Sequence, residues 1–311
     1  MGKVLFYIFQ STRPRQIIKN IALFVALVFN GWLFIPPLFT AVFRAAIAFS
    51  LLTSTVYIFN DVMDRKNDRL HPLKKMRPIA AGLLPPAIAL ASSIVLLVLS
   101  FFLAISLSDF FFLICLSYLL LHVAYTLFLK QLPIIDVLAI ASGFILRVYA
   151  GAAVINAHIN VWLLLCVVSF SLFLAIGKRR SELTLLSYSK AGKHRQVLFS
   201  YPEKLLDNYV SMFANTTWLT YALFSFMYPV KSLDSPRLIR IITYLPRTFT
   251  VEKLLMLTVP LVIFGVMRYL WIIYQKGEGD SPEKVLLKDK QLLGSVLIWI
   301  FSVVFIIYGI A

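Results

Sequence analysis

Residues 57–82 read YIFNDVMDRKNDRLHPLKKMRPIAAG. Three acids, Asp61, Asp64 and Asp68, stand among the cations Arg65, Lys66, Arg69, Lys74, Lys75 and Arg77 at the end of an apolar run. At about 100° per residue, Tyr57, Asn60, Asp61, Asp64 and Asp68 fall within roughly 60° of one direction on a helix. A phenol, an amide and three carboxylates therefore share one face. Like charges at that spacing repel, so the face calls for a cation to hold it. The expectation is a metal–diphosphate site. Magnesium takes oxygen ligands and bridges one or two carboxylates to substrate phosphates, which suits Asn60, Asp61, Asp64 and Asp68. Lys74, Lys75 and Arg77 would then neutralise phosphate. The alternative is an ordinary charged loop whose acids and bases pair with one another.

Outside this stretch the chain is strongly apolar. Its 311 residues are 60% hydrophobic and only 14% charged, with a mean hydropathy of +0.86. A soluble domain of this size has too little interior for that much apolar surface, so the composition predicts an all-α, polytopic membrane bundle. Windows of about 20 apolar residues predict about nine transmembrane helices. They lie near 18–39, 41–60, 86–106, 110–128, 136–156, 159–177, 208–229, 254–274 and 292–310. A tight hairpin at Pro36 and Pro37 would join the first two. No signal peptide is expected, because the first apolar run follows Arg13, Arg15 and Lys19 and is not followed by a small-residue cleavage site.

The net charge of +16 first suggests nucleic acid, but the placement of the cations gives a better account. Most Lys and Arg fall in the amino-terminal segment and the loops near 61–85, 178–204 and 275–290. By the positive-inside rule these segments are cytoplasmic in a cell membrane, and the carboxyl terminus is outside. Lipid, and no nucleic acid, is the expected surroundings. The 230–253 loop is basic on the opposite side, and its alternation of Leu and Ile with Arg suggests an amphipathic segment lying on the membrane. Cys115 and Cys166 sit in apolar runs and are expected to be free thiols. His71, His122, His158 and His194 have no metal-ligand spacing and are assigned no chemistry.

Other charged residues are harder to place in an apolar chain. Asp136, Ile140, Gly143, Arg147 and Gly151 lie within about 80° of one another on the predicted fifth span. Arg147 would be roughly 16 Å deeper than Asp136. A cation at that depth normally faces a polar cavity or a partner. Either it forms a structural ion pair with a neighbouring helix, or its planar fork grips a phosphate, with the two glycines leaving room for the ligand. Tyr125 and Lys130 precede this span. Lys178, Arg179, Arg180 and Glu182 end the sixth span, where anchoring at lipid headgroups competes with substrate contact. Lys19 and Asn20 follow Pro14, which fits an early helical position; anchoring and phosphate binding are both open for Lys19. Arg268 lies within the eighth span, its partner undetermined.

With these residues in place, the Asn60-Asp61-x-x-Asp64-x-x-x-Asp68 pattern resembles the aspartate-rich signature of the UbiA superfamily of intramembrane prenyltransferases. The closer resemblance is to its decaprenyl-phosphate phosphoribosyltransferases, and several motifs carry it. They are RP-x-Q-x-x-KN over residues 13–20, HP-x-K-x-x-RPIAAG over 71–82, and PIID…ASGFILR…AGA over 133–152. GKR…EL over 177–183 and YQKGEGDSPEKVLLKD over 274–289 complete the set. Relatives that use prenyl diphosphates carry a second aspartate-rich motif after the sixth span. Here that loop is basic, and Glu182 is its only acid before Glu203.

The resemblance implies a single UbiA-like transmembrane domain over residues 1–311. It also implies transfer of 5-phosphoribose from phosphoribosyl diphosphate to a polyprenyl phosphate, dependent on Mg2+ and releasing diphosphate. Asp61, Asp64 and Asp68 would be the catalytic acids, with Asn60 as a further metal ligand. Lys19, Tyr57, Lys74, Arg77, Tyr125, Lys130, Arg147 and Lys178 would bind substrate. Two other functions remain open: a prenyltransferase joining a prenyl diphosphate to an aromatic or small acceptor, and an anionic-lipid transporter. The first would show a second acidic motif, and the second would not release diphosphate.

Overall fold

Proline marks the start of helix after helix in this chain, because its fixed φ suits the first helical turn and its missing N–H has no partner there. In the computed structural model Pro14, Pro36, Pro86 and Pro282 each open a helix. The structure describes residues 2–70, 74–188, 201–228, 251–276 and 282–309. The expected amphipathic segment at 230–253 lies mostly outside these, as do His71, His194 and the centres of the two late basic loops expected to be cytoplasmic.

The chain forms two compact units, one ending at His158 and one beginning at Ile159. The first unit starts with α1, Gly2–Ser11, and a 3-10 helix, Pro14–Phe24, that runs into the short α2, Val25–Phe29. Then come α3, Pro36–Met63; α4, Arg65–Leu70; α5, Pro86–Leu107; α6, Asp109–Leu127; and α7, Ile135–Val154. Helix α3 packs along α5, and α6 along α7. Between them lies a core of Leu23, Leu27, Phe49, Leu52, Phe111 and Tyr118. On α5, Ile94, Val98, Phe102 and Ile105 are all exposed, an apolar flank suited to hydrocarbon rather than water.

The second unit contains α8, Val161–Tyr188; α9, Glu203–Met227; α10, Val259–Lys276; α11, Pro282–Lys288; and α12, Lys290–Val304. Helix α8 packs along α9, and α10 against α12. Asp289 caps α12 by accepting from the Leu292 N–H and takes a two-pronged bond from Arg268 at 2.8 and 3.1 Å. That identifies the partner Arg268 needed inside an apolar helix.

Among the described residues, seven helices are long and apolar enough to cross a membrane, against about nine expected. Two predicted spans account for the difference. The segment 18–39 is not one helix: a 3-10 stretch and α2 end at Asn30, and Gly31 takes φ 75 to reverse the chain. The turn therefore falls at 30–35, and Pro36 and Pro37 begin α3 instead of forming the hairpin. The other, α9, has 25 residues but carries Ser211, Asn215, Thr216, Thr217 and Thr220, which lower its apolarity.

Candidate active site

The acid-bearing face is built where α3 ends. The helix stops at Asp64, whose N–H still bonds Asn60, and α4 resumes at once, with the Asp68 N–H on the Asp64 carbonyl at 2.8 Å. The near-continuity keeps Asp61 and Asp68 on the common face expected of one helix. Both are buried, at 2% and 5% exposure.

The return loop brings a cation onto that face. Ile79 and Leu84 are fully buried against Ile58 and Ala89, and the backbone turns back through Gly82 at φ 78. The N–H groups of Leu83 and Leu84 both bond the Pro78 carbonyl. This apolar anchor holds Arg77 so that its Nη1 bonds Asp68 at 2.6 Å and Asp61 at 2.9 Å. A second cation reaches Asp61 from the amino-terminal side. Val4, Tyr7 and Ile8 of α1 pack on the same apolar cluster, and Arg13 then adopts φ 53, a conformation rare outside glycine. From there Arg13 pairs with Asp61 and lies over the Tyr57 ring, 5.0 Å from its centroid. Lys130, in the 3-10 turn after α6, pairs with Asp64. Burial pushes the Asp68 carboxyl above the usual carboxylate range, with Arg77 opposing the shift and Lys74 close enough to oppose it further.

The four proposed ligands therefore form two sets rather than one cage. Asp61 and Asp68 share Arg77, while Asp64 is held by Lys130. Among the described residues no three His, Cys, Asp or Glu side chains converge as a metal site. One group still asks for a ligand: Asn60 Oδ1 is buried without a hydrogen-bond partner. An unbonded buried acceptor costs about 1–3 kcal/mol. Together with the carboxylates it fits a hard cation that takes one or two carboxylates and completes its shell with phosphate and water. The protein's own cations meet the repulsion that the sequence pattern implied.

Deeper in the unit is a second constellation. Arg147 on α7 is 4% exposed. Its Nε bonds Asn20 Oδ1 at 3.0 Å, Nη2 the Tyr118 hydroxyl at 2.8 Å and Nη1 the Gly143 carbonyl at 2.7 Å. The rings of Phe49, Tyr118 and Phe144 lie 5.0–5.8 Å from the guanidinium. All these partners are neutral; among the described residues no carboxylate pairs with Arg147, so the alternative of a structural ion pair fails. Burying a guanidinium unpaired costs on the order of several kcal/mol, which the dipoles and ring faces only partly offset.

The glycines of α7 do not leave a void for a ligand as expected. A Cβ at Gly151 would lie 1.8 Å from the Leu23 carbonyl oxygen, and one at Gly143 would lie 2.8 Å from His122 Nε2. Gly151 thus lets the 3-10 segment close onto α7. That contact sets Asn20 between Arg147 and Ser50, whose Oγ is 2.9 Å from Asn20 Nδ2.

Of the other expected substrate residues, Lys19 and Tyr57 border this region. Lys19 lies in the neighbourhood of His122, and Tyr57 in that of Tyr118. The Tyr125 ring is 6.3 Å from that of His122. Lys178 belongs to α8 in the second unit. Its neighbours form ion pairs within that unit: buried Arg179 pairs with Glu182, and Arg180 with Glu203 and Asp207. Arg13, Asn20, Tyr118 and His122 are the residues that the acid motif and helical periodicity did not select. Arg13 and Asn20 lay within the amino-terminal motif, whereas Tyr118 and His122 had no sequence signal.

The fold is that of a multi-pass helical membrane protein whose first unit carries an acid-and-cation cluster and a buried arginine with no anion among the described residues, groups suited to phosphorylated ligands. The UbiA prenyltransferase family model matches residues 20–288, and the chain belongs to that family. It is 32% identical to a decaprenyl-phosphate phosphoribosyltransferase of Corynebacterium glutamicum, over 96% of this chain and 86% of that one. It is 31% identical to one of Mycobacterium tuberculosis, over 94% and 92%. The fold is similar to that of a UbiA homologue from Archaeoglobus fulgidus solved with GPP and Mg2+. That likeness has a TM-score of 0.66 at 20% identity, covering 96% of this chain and 98% of the other.

Proposed function

We propose that the protein transfers 5-phosphoribose from phosphoribosyl diphosphate to a polyprenyl phosphate, of the decaprenyl-phosphate type, and releases diphosphate. The observation that carries this reading is the buried Arg147 guanidinium surrounded only by neutral groups. Such a site is completed by an anion inside the apolar layer, which a lipid phosphate supplies. The names of the relatives, alike over nearly the whole chain, support the sugar donor.

Magnesium, held by Asn60, Asp61 and Asp64 with Asp68 beside them, would neutralise the leaving diphosphate. Arg13, Arg77, Lys74 and Lys130, which balance the acids in the structure, would turn to the donor phosphates, with Tyr57, Tyr125 and Lys19 lining the approach. Lys178 is retained as a further substrate contact on the motif alone. The lipid phosphate is already ionised near neutral pH, so the reaction needs no strong base. Its oxygen attacks C1 of the ribose opposite the departing diphosphate, which inverts the anomeric centre.

The reading treats the chain as one UbiA-like domain, since the family match runs through both units. It sets the protein in the cytoplasmic membrane with the amino terminus and the acid cluster on the cytoplasmic side, as the cation distribution favours. Transfer of a prenyl group is less favoured. The segment after the sixth predicted span is basic, and Glu182 is its only acid before Glu203, which leaves too few carboxylates for a second metal motif. The test is incubation of purified protein with phosphoribosyl diphosphate, Mg2+ and polyprenyl phosphate, followed by mass spectrometry of the lipid. The expected product is lipid-linked phosphoribose; its absence with substrates intact overturns the reading.

A further inference from the structure

His122 has no part in the mechanism above, yet it is the least explained side chain of the first unit. It lies one turn after Tyr118 on α6, with ring centroids 4.2 Å apart. Its Nε2 is buried and has no hydrogen-bond partner. The imidazole rests over the bare backbone of Gly143, where a Cβ would come 2.8 Å from Nε2 and 3.6 Å from Arg147 Nη1. The missing side chain therefore lets the imidazole and the guanidinium stand side by side over one point of α7. Arg147 has three of its five N–H groups engaged, so it retains donors for a ligand. An unbonded ring nitrogen and an uncompensated cation, adjacent and buried, are two deficits that one anion corrects together.

We propose that His122 Nε2 and the Arg147 guanidinium form the receptor for the phosphoryl group of the lipid acceptor. Arg147 supplies the charge and His122 a directed hydrogen bond to a phosphate oxygen. The position favours the lipid over the soluble donor. Both side chains project from the interior of membrane-length helices, whereas the acid cluster that suits a metal diphosphate straddles the end of α3 and the start of α4. The identity of the ligand rests on the phosphoribosyl-transfer reading; the site itself rests on Gly143, His122 and Arg147.

The test separates the KM values for the two substrates in the purified full chain. His122→Phe keeps a ring but removes the hydrogen bond, and is expected to raise the KM for polyprenyl phosphate about 10- to 100-fold. The KM for phosphoribosyl diphosphate stays unchanged, and His122→Gln restores acceptor binding. Gly143→Ala is a second route to the same result, because its methyl displaces only the mobile end of the imidazole. It raises the acceptor KM and leaves the melting temperature in place, and it decides the matter should His122→Phe fail to fold. An unchanged acceptor KM in the folded variants, or donor and acceptor KM rising together, overturns the proposal. Binding of polyprenyl phosphate in lipid nanodiscs, read by native mass spectrometry, distinguishes the two readings. If the wild type binds the lipid, His122→Phe releases it and no phosphoribose is transferred by either, the reaction is wrong and the site stands. Transfer by the wild type with normal acceptor KM in both variants rejects the site alone.

Discussion

Arg77 and Arg147 are both guanidiniums of the first unit, but they have opposite surroundings. Arg77 lies between two carboxylates, and Arg13 and Lys130 take up the remaining charge of the acid cluster. Arg147 meets an amide, a phenol, a backbone carbonyl and three aromatic faces, and no acid among the described residues. The first region is balanced and must open its ion pairs before phosphate enters. The second lacks a negative charge and has no ion pair to break before an anion binds. If the two regions serve one reaction, as proposed, a metal-bound diphosphate would enter the first by exchange of ion pairs and a lipid phosphate would supply the charge missing from the second.

The comparison breaks most sharply at Asp64. Asp64→Ala should lower phosphoribose transfer about a thousandfold at saturating Mg2+, the scale of losing a major electrostatic contribution to the transition state. Melting temperature should hardly change, because its partner Lys130 is near the surface. Unchanged turnover would remove Asp64 from the metal set. Stability is the next contrast. Asp61→Leu leaves Arg13 without its acid and Arg77 with Asp68 alone; because both arginines are partly exposed, the loss should fall below the about 3–5 kcal/mol of a fully buried pair. Arg147→Met removes a charge that balances nothing and should destabilise less than Asp61→Leu in thermal denaturation. A larger loss from Arg147→Met would show that an acid depends on it after all.

Smaller effects sharpen the division of labour. Arg147→Lys keeps the charge but loses the planar fork, and should raise the KM for polyprenyl phosphate about tenfold with the donor KM unmoved. Lys130→Met should act on the other substrate, raising the donor KM a few-fold, an effect that added salt reduces because the Lys130–Asp64 pair is partly exposed. Equal effects of either substitution on both substrates would merge the two regions into one binding surface.

Much of this was legible before any coordinates. The common face of Asp61 and Asp68 survives the break at Asp64 because α4 resumes in phase, while Asp64 itself turns to Lys130. Pro14 was placed correctly as a helix start, and Cys115 and Cys166 are free thiols. The misplacements share a cause. Gly143 and Gly151 looked like room for a ligand, because a glycine in a helix reads as space until the element that fills it is known. The segment 18–39 looked like one span because apolarity does not reveal that Leu23 must bring its carbonyl against Gly151.

The sequence by itself determined the membrane-spanning character, the acid-bearing face, the depth of Arg147 and the family. The family follows from the resemblance of its motifs; the rest follows from composition, from order along the chain, or from a rotation of about 100° per residue within one helix. Only the tertiary structure decided which cation answers which acid, that Arg147 meets no acid among the described residues, and that His122 lies against Gly143. Those facts relate residues on different helices. Their distances depend on how backbones approach and side chains interlock, which helical periodicity does not encode.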